Sequence, residues 1–296
     1  MPRVDIHAHI LPGLDDGPTT LEDSLGMARM AMLDGTEIIV ATPHYRDVEL
    51  AYISPETVPE LSDTLDAALR NDGVGRNSQT IRVLSGMTHR LDTSLQDLVD
   101  SGRAVTLNRT RFLLVEPPFT RLPSHADDMI GRLLTQRLVP VIAHPERNRE
   151  FQRHPNRLRN LVDDGVIVQI ASGSIMGRNG TKAQRTAERF ISDGIAHVVA
   201  SEMHSSYAPR SPLLTGAFNI VANLVGDREA INLFELNPAM ILEGRSPQLR
   251  EPNERSKILS KFPISREIKI NRGINSQTQR ARERILQRVR QLINRV

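Results

Sequence analysis

The sequence predicts an α/β fold built on a parallel sheet, because short apolar runs alternate with amphipathic helical patterns. Three times a helical pattern ends in Asp-Gly and a β-branched run begins at once, at residues 34–35, 164–165 and 193–194. Glycine after a helix permits the left-handed conformation that ends it, and such apolar runs suit strands buried on both faces. Seven strand–helix units fit either a barrel or a doubly wound sheet.

Seven segments are predicted as strands: residues 4–6, 36–41, 80–84, 112–115, 139–143, 166–170 and 195–200. The first helix is predicted to begin at a capping box of Thr19 and Glu22, with Leu25, Ala28 and Met32 on one face. Further helices are predicted near residues 55–70, 126–136, 156–164, 182–192 and 212–225.

The composition is typical of a globular protein, with 39% hydrophobic and 25% charged residues in a chain of 296. The chain has no cysteine, which excludes disulfides, thiolate zinc sites and cysteine nucleophiles. The N-terminus has no apolar signal region, and no 18-residue apolar run occurs. We therefore expect a cytoplasmic protein.

The positive charge lies in the C-terminal part of the chain. Residues 251–296 hold 12 Lys and Arg against 4 Asp and Glu, so residues 1–250 carry a net charge of −5 although the whole chain carries +3. The basic pI therefore does not indicate a nucleic-acid partner. Residues 285–296 form a basic amphipathic helical pattern, which could pack on the body, on a second subunit, on an anionic membrane surface or on an acidic partner.

Histidines and carboxylates follow the predicted strands. His7 and His9 are two apart at the end of the first strand and point to the same side, and in α/β barrels this end of the strands carries the site. Nitrogen and oxygen donors without sulfur favour zinc, manganese or iron, whereas unrelated caps and ion pairs are the alternative. Counting the first pair, donors follow five of the seven strands, and the remaining ones are Asp16, His44, Glu116, His144, Glu202 and His204.

Two arginines lie near these donors in the sequence. Arg147 follows His144 by three residues, and Arg210 follows His204 by six. Metal ions lower the pKa of a bound water and neutralise charge on a phosphate, and arginine forks bind phosphate oxygens. The pattern predicts a metal-dependent phosphoesterase, although surface arginines are the alternative for this pair.

Four motifs carry a family resemblance. Residues 5–18 (DIHAHILPGLDDGP) closely resemble the start of the bacterial capsular and exopolysaccharide protein-tyrosine phosphatases of the PHP (polymerase and histidinol phosphatase) superfamily. Residues 41–44 (ATPH), 143–147 (AHPER) and 199–204 (VASEMH) are similar to its later motifs, in the same order. The resemblance implies that Arg147 and Arg210 bind the phosphate. It also implies these metal ligands: His7, His9, Asp16, His44, Glu116, His144, Glu202 and His204.

The resemblance further implies a distorted (β/α)7 TIM-like barrel, the PHP fold, over residues 1–245, with residues 246–296 as a basic linker and amphipathic helical tail. It implies two or three divalent ions, with manganese first and iron or zinc as alternatives. The implied activity is hydrolysis of phosphotyrosine on a protein, such as the tail of a bacterial tyrosine kinase that controls capsule or exopolysaccharide synthesis. No nucleic acid is expected, membrane contact is peripheral at most, and a homo-oligomer is an open alternative.

Two positions depart from the family pattern. Thr88 stands where the family has a metal-bridging Glu, and Glu202 stands where it has Asp. His89 offers a donor, but its side chain should point the other way if the strand continues.

These departures keep two alternatives open. One is a PHP phosphoesterase that acts on a small ester such as histidinol phosphate. The other is a catalytically impaired regulator that binds phosphotyrosine or a kinase without hydrolysis, because Thr88 replaces the bridging carboxylate.

Overall fold

The computed structural model describes residues 3–50, 54–71 and 81–249, and the strands in these ranges all run parallel. They pair as two sheets, of order β1-β2-β3 and β4-β5-β6-β7-β8. The predicted α/β fold with parallel pairing is therefore confirmed. The strands are β1 Arg3–Ala8, β2 Thr36–Ala41, β3 Arg82–Ser85, β4 Thr88–Arg90, β5 Phe112–Glu116, β6 Val139–Ala143, β7 Ile167–Ala171 and β8 Val198–Ala200.

Each of the six predicted helical segments contains a helix. A π-helical turn, Asn232–Leu236, joins the last two helices of the described chain. The helices are α1 Leu21–Leu33, α2 Tyr45–Leu50, α3 Val58–Asn71, α4 Ser94–Asp100, α5 Ala126–Thr135, α6 Arg149–Arg153, α7 Pro155–Asp163, α8 Ser172–Ile175, α9 Thr181–Ser192, α10 Thr215–Val225, α11 Asp227–Ile231 and α12 Asn237–Leu242.

The cap of α1 lies one residue later than predicted. Thr20, not Thr19, has the extended conformation of an N-cap, and its side chain accepts a hydrogen bond from Asp23 N at 3.2 Å. Asp23, not Glu22, completes the pair through its carboxylate, which accepts from the Thr20 hydroxyl at 2.7 Å. Two adjacent threonines made either register possible from sequence, and the local backbone decides between them.

The predicted third strand is wrong in number, because two strands, β3 and β4, occupy this region. The predicted segment began at residue 80, which lies outside the described residues. The break falls at Gly86, where a Cβ atom would come within 2.9 Å of both Val40 Cγ1 and Leu107 Cδ2. Only glycine allows this close approach, and it lets Thr88 N donate to Pro43 O at 3.0 Å.

Backbone hydrogen bonds connect the two sheets at both junctions. At one junction, Glu202 N donates to His7 O and His9 N donates to Met203 O, each at 2.9 Å. At the other, the parallel bridge between His44 and Thr88 joins the end of β2 to β4. The carboxyl ends of the strands therefore face one common edge, which is where parallel sheets build their sites.

The strands are buried on both faces, as their apolar runs predicted. In β5, Phe112 and Leu114 pack against residues of β1, β2 and β6 in an inner cluster, while Leu113 and Val115 pack against α4 and α5. Each fully buried apolar side chain of this kind contributes roughly 1.5–3 kcal/mol to folding.

The segment after α12 remains in contact with the body as far as the structure describes it. Asn237 donates to Gln248 O at 2.8 Å and accepts from Gln248 N at 3.0 Å. The predicted amphipathic helix of residues 285–296 lies outside the described residues. Within the described ranges, no helix combines the length and the hydrophobicity that crossing a membrane requires.

We predict that Gly86→Ala lowers the free energy of unfolding by about 1–3 kcal/mol, because Val40 and Leu107 are fully buried and must shift to admit the new methyl group. Gly131→Ala is the matched control. Its Cβ would meet nothing within 4 Å in α5, so helix propensity should make it neutral or stabilising. Urea unfolding of both variants checks the prediction, and equal effects would contradict it.

Candidate metal centre

His7 and His9 face each other at the end of β1. Their Nε2 atoms lie 3.2 Å apart, and both side chains are buried. The opposite nitrogen of each ring has an oxygen partner: His7 Nδ1 lies 3.0 Å from Gln169 Oε1, and His9 Nδ1 lies 2.6 Å from Asp15 Oδ2. Because these oxygens accept, Nδ1 carries the proton in each ring and both Nε2 lone pairs are turned inward.

Four side chains form the first donor group, defined as His9, Asp16, His44 and His204. Each offers one ligand atom, and these atoms all lie within 4.8 Å of one another. Asp16 Oδ1 lies 3.2 Å from His204 Nε2 and 3.8 Å from His44 Nε2. The His9 and His204 rings are stacked, with their centroids 3.8 Å apart.

The second donor group, defined as His7, Glu116, His144 and Glu202, lies alongside. His144 Nε2 is 3.4 Å from Glu116 Oε1 and 3.6 Å from Glu202 Oε1. The His7 and His144 rings are stacked, with their centroids 5.7 Å apart. His44 Nδ1, 3.7 Å from Glu116 Oε2, connects the two groups.

The two arginines lie at opposite ends of this arrangement. Arg147 Nη1 is 2.5 Å from Glu202 Oε1 in the second donor group, and Arg210 Nη1 is 2.7 Å from Asp16 Oδ2 in the first. All ten residues that the sequence singled out are therefore brought together at one edge of the sheets.

Burial lowers the pKa of three of the imidazoles. It lowers the pKa of His7 and of His144 to about 4, and burial together with the neighbouring imidazoles lowers the pKa of His9 well below its usual value. A neutral ring keeps the lone pair that a cation needs.

The acidic groups are held ionised. A hydrogen bond to His204, and a second to Arg210, hold the pKa of Asp16 well below its usual range although partial burial opposes this. Burial alone would raise the pKa of Glu202, but the charges of His144 and Arg147 outweigh it and lower the pKa to about 2. At neutral pH the neutral rings of His7, His9 and His144 therefore accompany the anionic carboxylates of Asp16 and Glu202.

This donor set fits divalent cations. Two imidazole lone pairs that face each other at 3.2 Å, as in His7 and His9, repel unless a proton or a cation lies between them. His44 Nδ1 is buried and has no hydrogen-bond partner within the described part of the chain. Nitrogen and carboxylate oxygen donors without sulfur suit manganese, iron or zinc.

Two of the donors have a strained backbone. His144 (φ 33°) and Glu202 (φ 54°) adopt the left-handed region directly after or near the ends of β6 and β8. A non-glycine residue there costs about 1–3 kcal/mol, so the surrounding structure must hold it. Such strain is concentrated at sites where a side chain must be aimed.

Two positioning residues were not predicted as part of the site. Gln169 lies in the predicted strand of residues 166–170, and Asp15 directly precedes the predicted ligand Asp16. A single glutamine within an otherwise apolar run is the sequence signal that could have indicated Gln169. The Asp15 side chain also accepts from His44 N at 3.0 Å, so it holds two histidines in place.

Thr88, one of the two departures from the family pattern, and its neighbour His89 are both buried. The Thr88 hydroxyl donates to Thr42 O at 3.0 Å. The His89 ring turns away from both donor groups, and its Nε2 lies 3.0 Å from Val105 O. His89 therefore does not compensate for the missing carboxylate.

The family model "Capsular polysaccharide synthesis, CpsB/CapC" matches residues 3–243. The chain belongs to the CpsB/CapC family. The resemblance that the sequence motifs indicated is therefore confirmed.

Two relatives of this chain are named tyrosine-protein phosphatases. YwqE of Bacillus subtilis is 35% identical over 202 residues, which cover 68% of this chain and 77% of the relative. CpsB of Streptococcus agalactiae serotype III is 28% identical over 252 residues, which cover 81% of this chain and 98% of the relative. The predicted activity is the one for which these relatives are named.

A solved structure is similar over most of the chain. It comes from work on YwqE from Bacillus subtilis and CpsB from Streptococcus pneumoniae, described as metal-dependent tyrosine phosphatases. The two folds agree with a TM-score of 0.77 at 31% identity, over 83% of this chain and 97% of that chain. Dependence on a metal is thus documented for a homologue with the same fold.

We predict that Asp15→Asn weakens metal binding by about 10–100-fold, because the carboxylate that orients His9 loses its charge. Isothermal titration with Mn²⁺ measures the change. Asp63→Asn, on the exposed face of α3, is the matched control and should leave the affinity unchanged. Equal affinities in the Asp15 variant and the parent would contradict the role of Asp15.

Proposed function

We propose that this chain is a metal-dependent protein-tyrosine phosphatase that acts in capsular or exopolysaccharide synthesis. The convergence of eight nitrogen and oxygen donors with two arginines at one edge of the sheets carries this proposal. The names of the relatives support it.

The first and second donor groups would each hold at least one divalent ion, with manganese as the proposed metal and iron or zinc as alternatives. When bound, such ions supply a hydroxide near neutral pH and neutralise charge on the phosphate. Gln169 and Asp15 would keep His7 and His9 in the tautomer that binds metal.

Arg147 and Arg210 would bind the phosphate oxygens. Each guanidinium is anchored through one nitrogen to a carboxylate, Glu202 or Asp16, and has further N–H groups to donate. The Phe119 ring, 4.4 Å from the Arg147 guanidinium carbon, holds the plane of that side chain.

The same proposal includes the finer fold and the setting of the enzyme. The backbone hydrogen bonds at the two sheet junctions support a distorted seven-unit barrel of the PHP type. The division at residue 245, the tyrosine-kinase substrate, a homo-oligomer and a cytoplasmic location stay predictions.

A second candidate is a regulator that binds phosphotyrosine without efficient hydrolysis. The position of Thr88 favours it, because the hydroxyl is committed to Thr42 O and supplies no charge beside His44. Without a bridging carboxylate, one ion would be held less tightly.

We predict hydrolysis of p-nitrophenyl phosphate and of a phosphotyrosine peptide in the presence of Mn²⁺, with complete loss on chelation. His9→Ala should lower kcat/KM by about 100-fold or more, because several kilocalories of charge stabilisation depend on the ions. His89→Gln is the matched control, since the amide can still donate to Val105 O outside both donor groups. Hydrolysis that continues in the presence of chelator would contradict the proposal that the activity depends on a metal.

We predict that Thr88→Glu raises Mn²⁺ affinity by at least about tenfold, because it adds a carboxylate beside His44. Thr88→Gln controls for side-chain size without the charge. If the parent is inactive and only Thr88→Glu gains turnover, the regulator is favoured. If the parent is fully active and Thr88→Glu changes nothing, that candidate fails.

A further inference from the structure

Arg147 lines one of three adjoining cavities. The first, of about 380 Å³, is lined by Phe119 and Arg147 among others, and it shares Arg149 with a second cavity of about 520 Å³. It shares Gln152 and Lys182 with a third cavity of about 360 Å³. Because they share these lining residues, the three cavities adjoin, and they make up a depression from Arg147 across α6 to the start of α9.

The lining of this depression is strongly basic. We name it the basic groove. Its one lining carboxylate in the described chain, Glu150, is already paired with Arg157. The side chains of Arg149, Arg153 and Arg185 have no carboxylate partner among the described residues. The exposed cationic residues of the groove are Arg121, Arg149, Arg153, Lys182, Arg185 and Arg189.

The charge of the groove is opposite in sign to the net charge of residues 1–250. Residues 1–250 carry a net charge of −5, yet the groove collects cations from three separated segments of the chain. Concentrated charge of one sign in a concave surface raises the local concentration of oppositely charged ligands. The expected occupant is therefore anionic.

The basic groove is continuous with the metal centre. Arg147 contacts Glu202 on one side and lies over the Phe119 ring on the other. Phe119 is 46% exposed although it is a large apolar side chain, and its ring centroid is 5.8 Å from that of His144. A substrate that places its phosphate at Arg147 would lay its flanking residues over Phe119 and into the groove.

We propose that the basic groove binds acidic or phosphorylated residues that flank the target phosphotyrosine of a protein substrate. This inference rests on the proposed phosphatase function and adds its sequence preference. Gln152, Asn179 and Thr181 also line the groove, and their amide and hydroxyl groups suit the backbone of an extended peptide. The concave shape and these neutral polar groups fit a peptide better than a flat anionic membrane surface.

Three substrates test the proposal. They are p-nitrophenyl phosphate, a phosphotyrosine peptide with neutral flanks, and the same peptide with aspartate or further phosphotyrosine at the flanks. The readout is the ratio of kcat/KM for the acidic peptide to kcat/KM for the neutral peptide. Full-length parent, Arg153→Glu and Arg185→Glu are compared at low and high salt. Arg132→Glu is the matched charge reversal, because Arg132 is exposed on α5 and does not line the groove.

The parent should prefer the acidic peptide, and high salt should reduce that preference. Each groove variant should lower the ratio by about three- to tenfold, whereas Arg132→Glu should leave it unchanged. A parent that hydrolyses p-nitrophenyl phosphate but treats both peptides alike overturns the groove and leaves the phosphatase proposal standing. An equal loss in Arg132→Glu overturns it as well.

Peptide binding tests the basic groove independently of hydrolysis. If the parent hydrolyses none of the substrates, the proposed function fails, and the groove is judged by fluorescence anisotropy with labelled acidic and neutral peptides. Tighter binding of the acidic peptide that is weakened by Arg153→Glu supports the proposal. Equal binding overturns it. Loss of binding to phosphatidylserine vesicles in Arg153→Glu, with peptide binding unchanged, overturns it in favour of a membrane.

Discussion

The common direction of the strands is the constraint on which the site depends. All the described strand pairs are parallel, and the bridges between Ala8 and Met203 and between His44 and Thr88 carry that direction from one sheet to the other. Donors separated by up to 197 residues of sequence, from His7 to His204, therefore meet at one edge. A register shift of one residue would turn the donors that lie within strands, His7 and Glu116, to the opposite face of the sheet.

Burial and neighbouring charges shift the pKa values of different donors in the cluster. Burial lowers the pKa of the His7 imidazole, while the charges of His144 and Arg147 lower the pKa of Glu202. Asp15 and Gln169 occupy the outer nitrogen of His9 and of His7, so the inner nitrogens are turned toward each other. The backbone of His144 and Glu202 is strained because these two donors must be oriented toward the cluster from the ends of strands.

Two further features of the chain adjoin the donor groups. The Thr88 hydroxyl bonds to the backbone at a position that implied a bridging carboxylate, and His89 faces the opposite side. On the substrate side, Phe119 and Arg147 connect the donor groups to a cationic depression on an otherwise acidic body. The proposals for metal occupancy and for substrate choice therefore rest on different parts of the molecule.

The sequence by itself determined the parallel α/β class, six helices and all ten residues that meet at the site, because strand and helix periodicities are local and donors at strand ends can be read in order. It did not determine the split at Gly86, the helper roles of Gln169 and Asp15, or the groove beside Arg147. Each of these depends on how segments far apart in sequence approach: Gly86 on Val40 and Leu107, and Gln169 on His7. Only the tertiary structure decides such contacts, because no local pattern encodes the distance between two distant side chains.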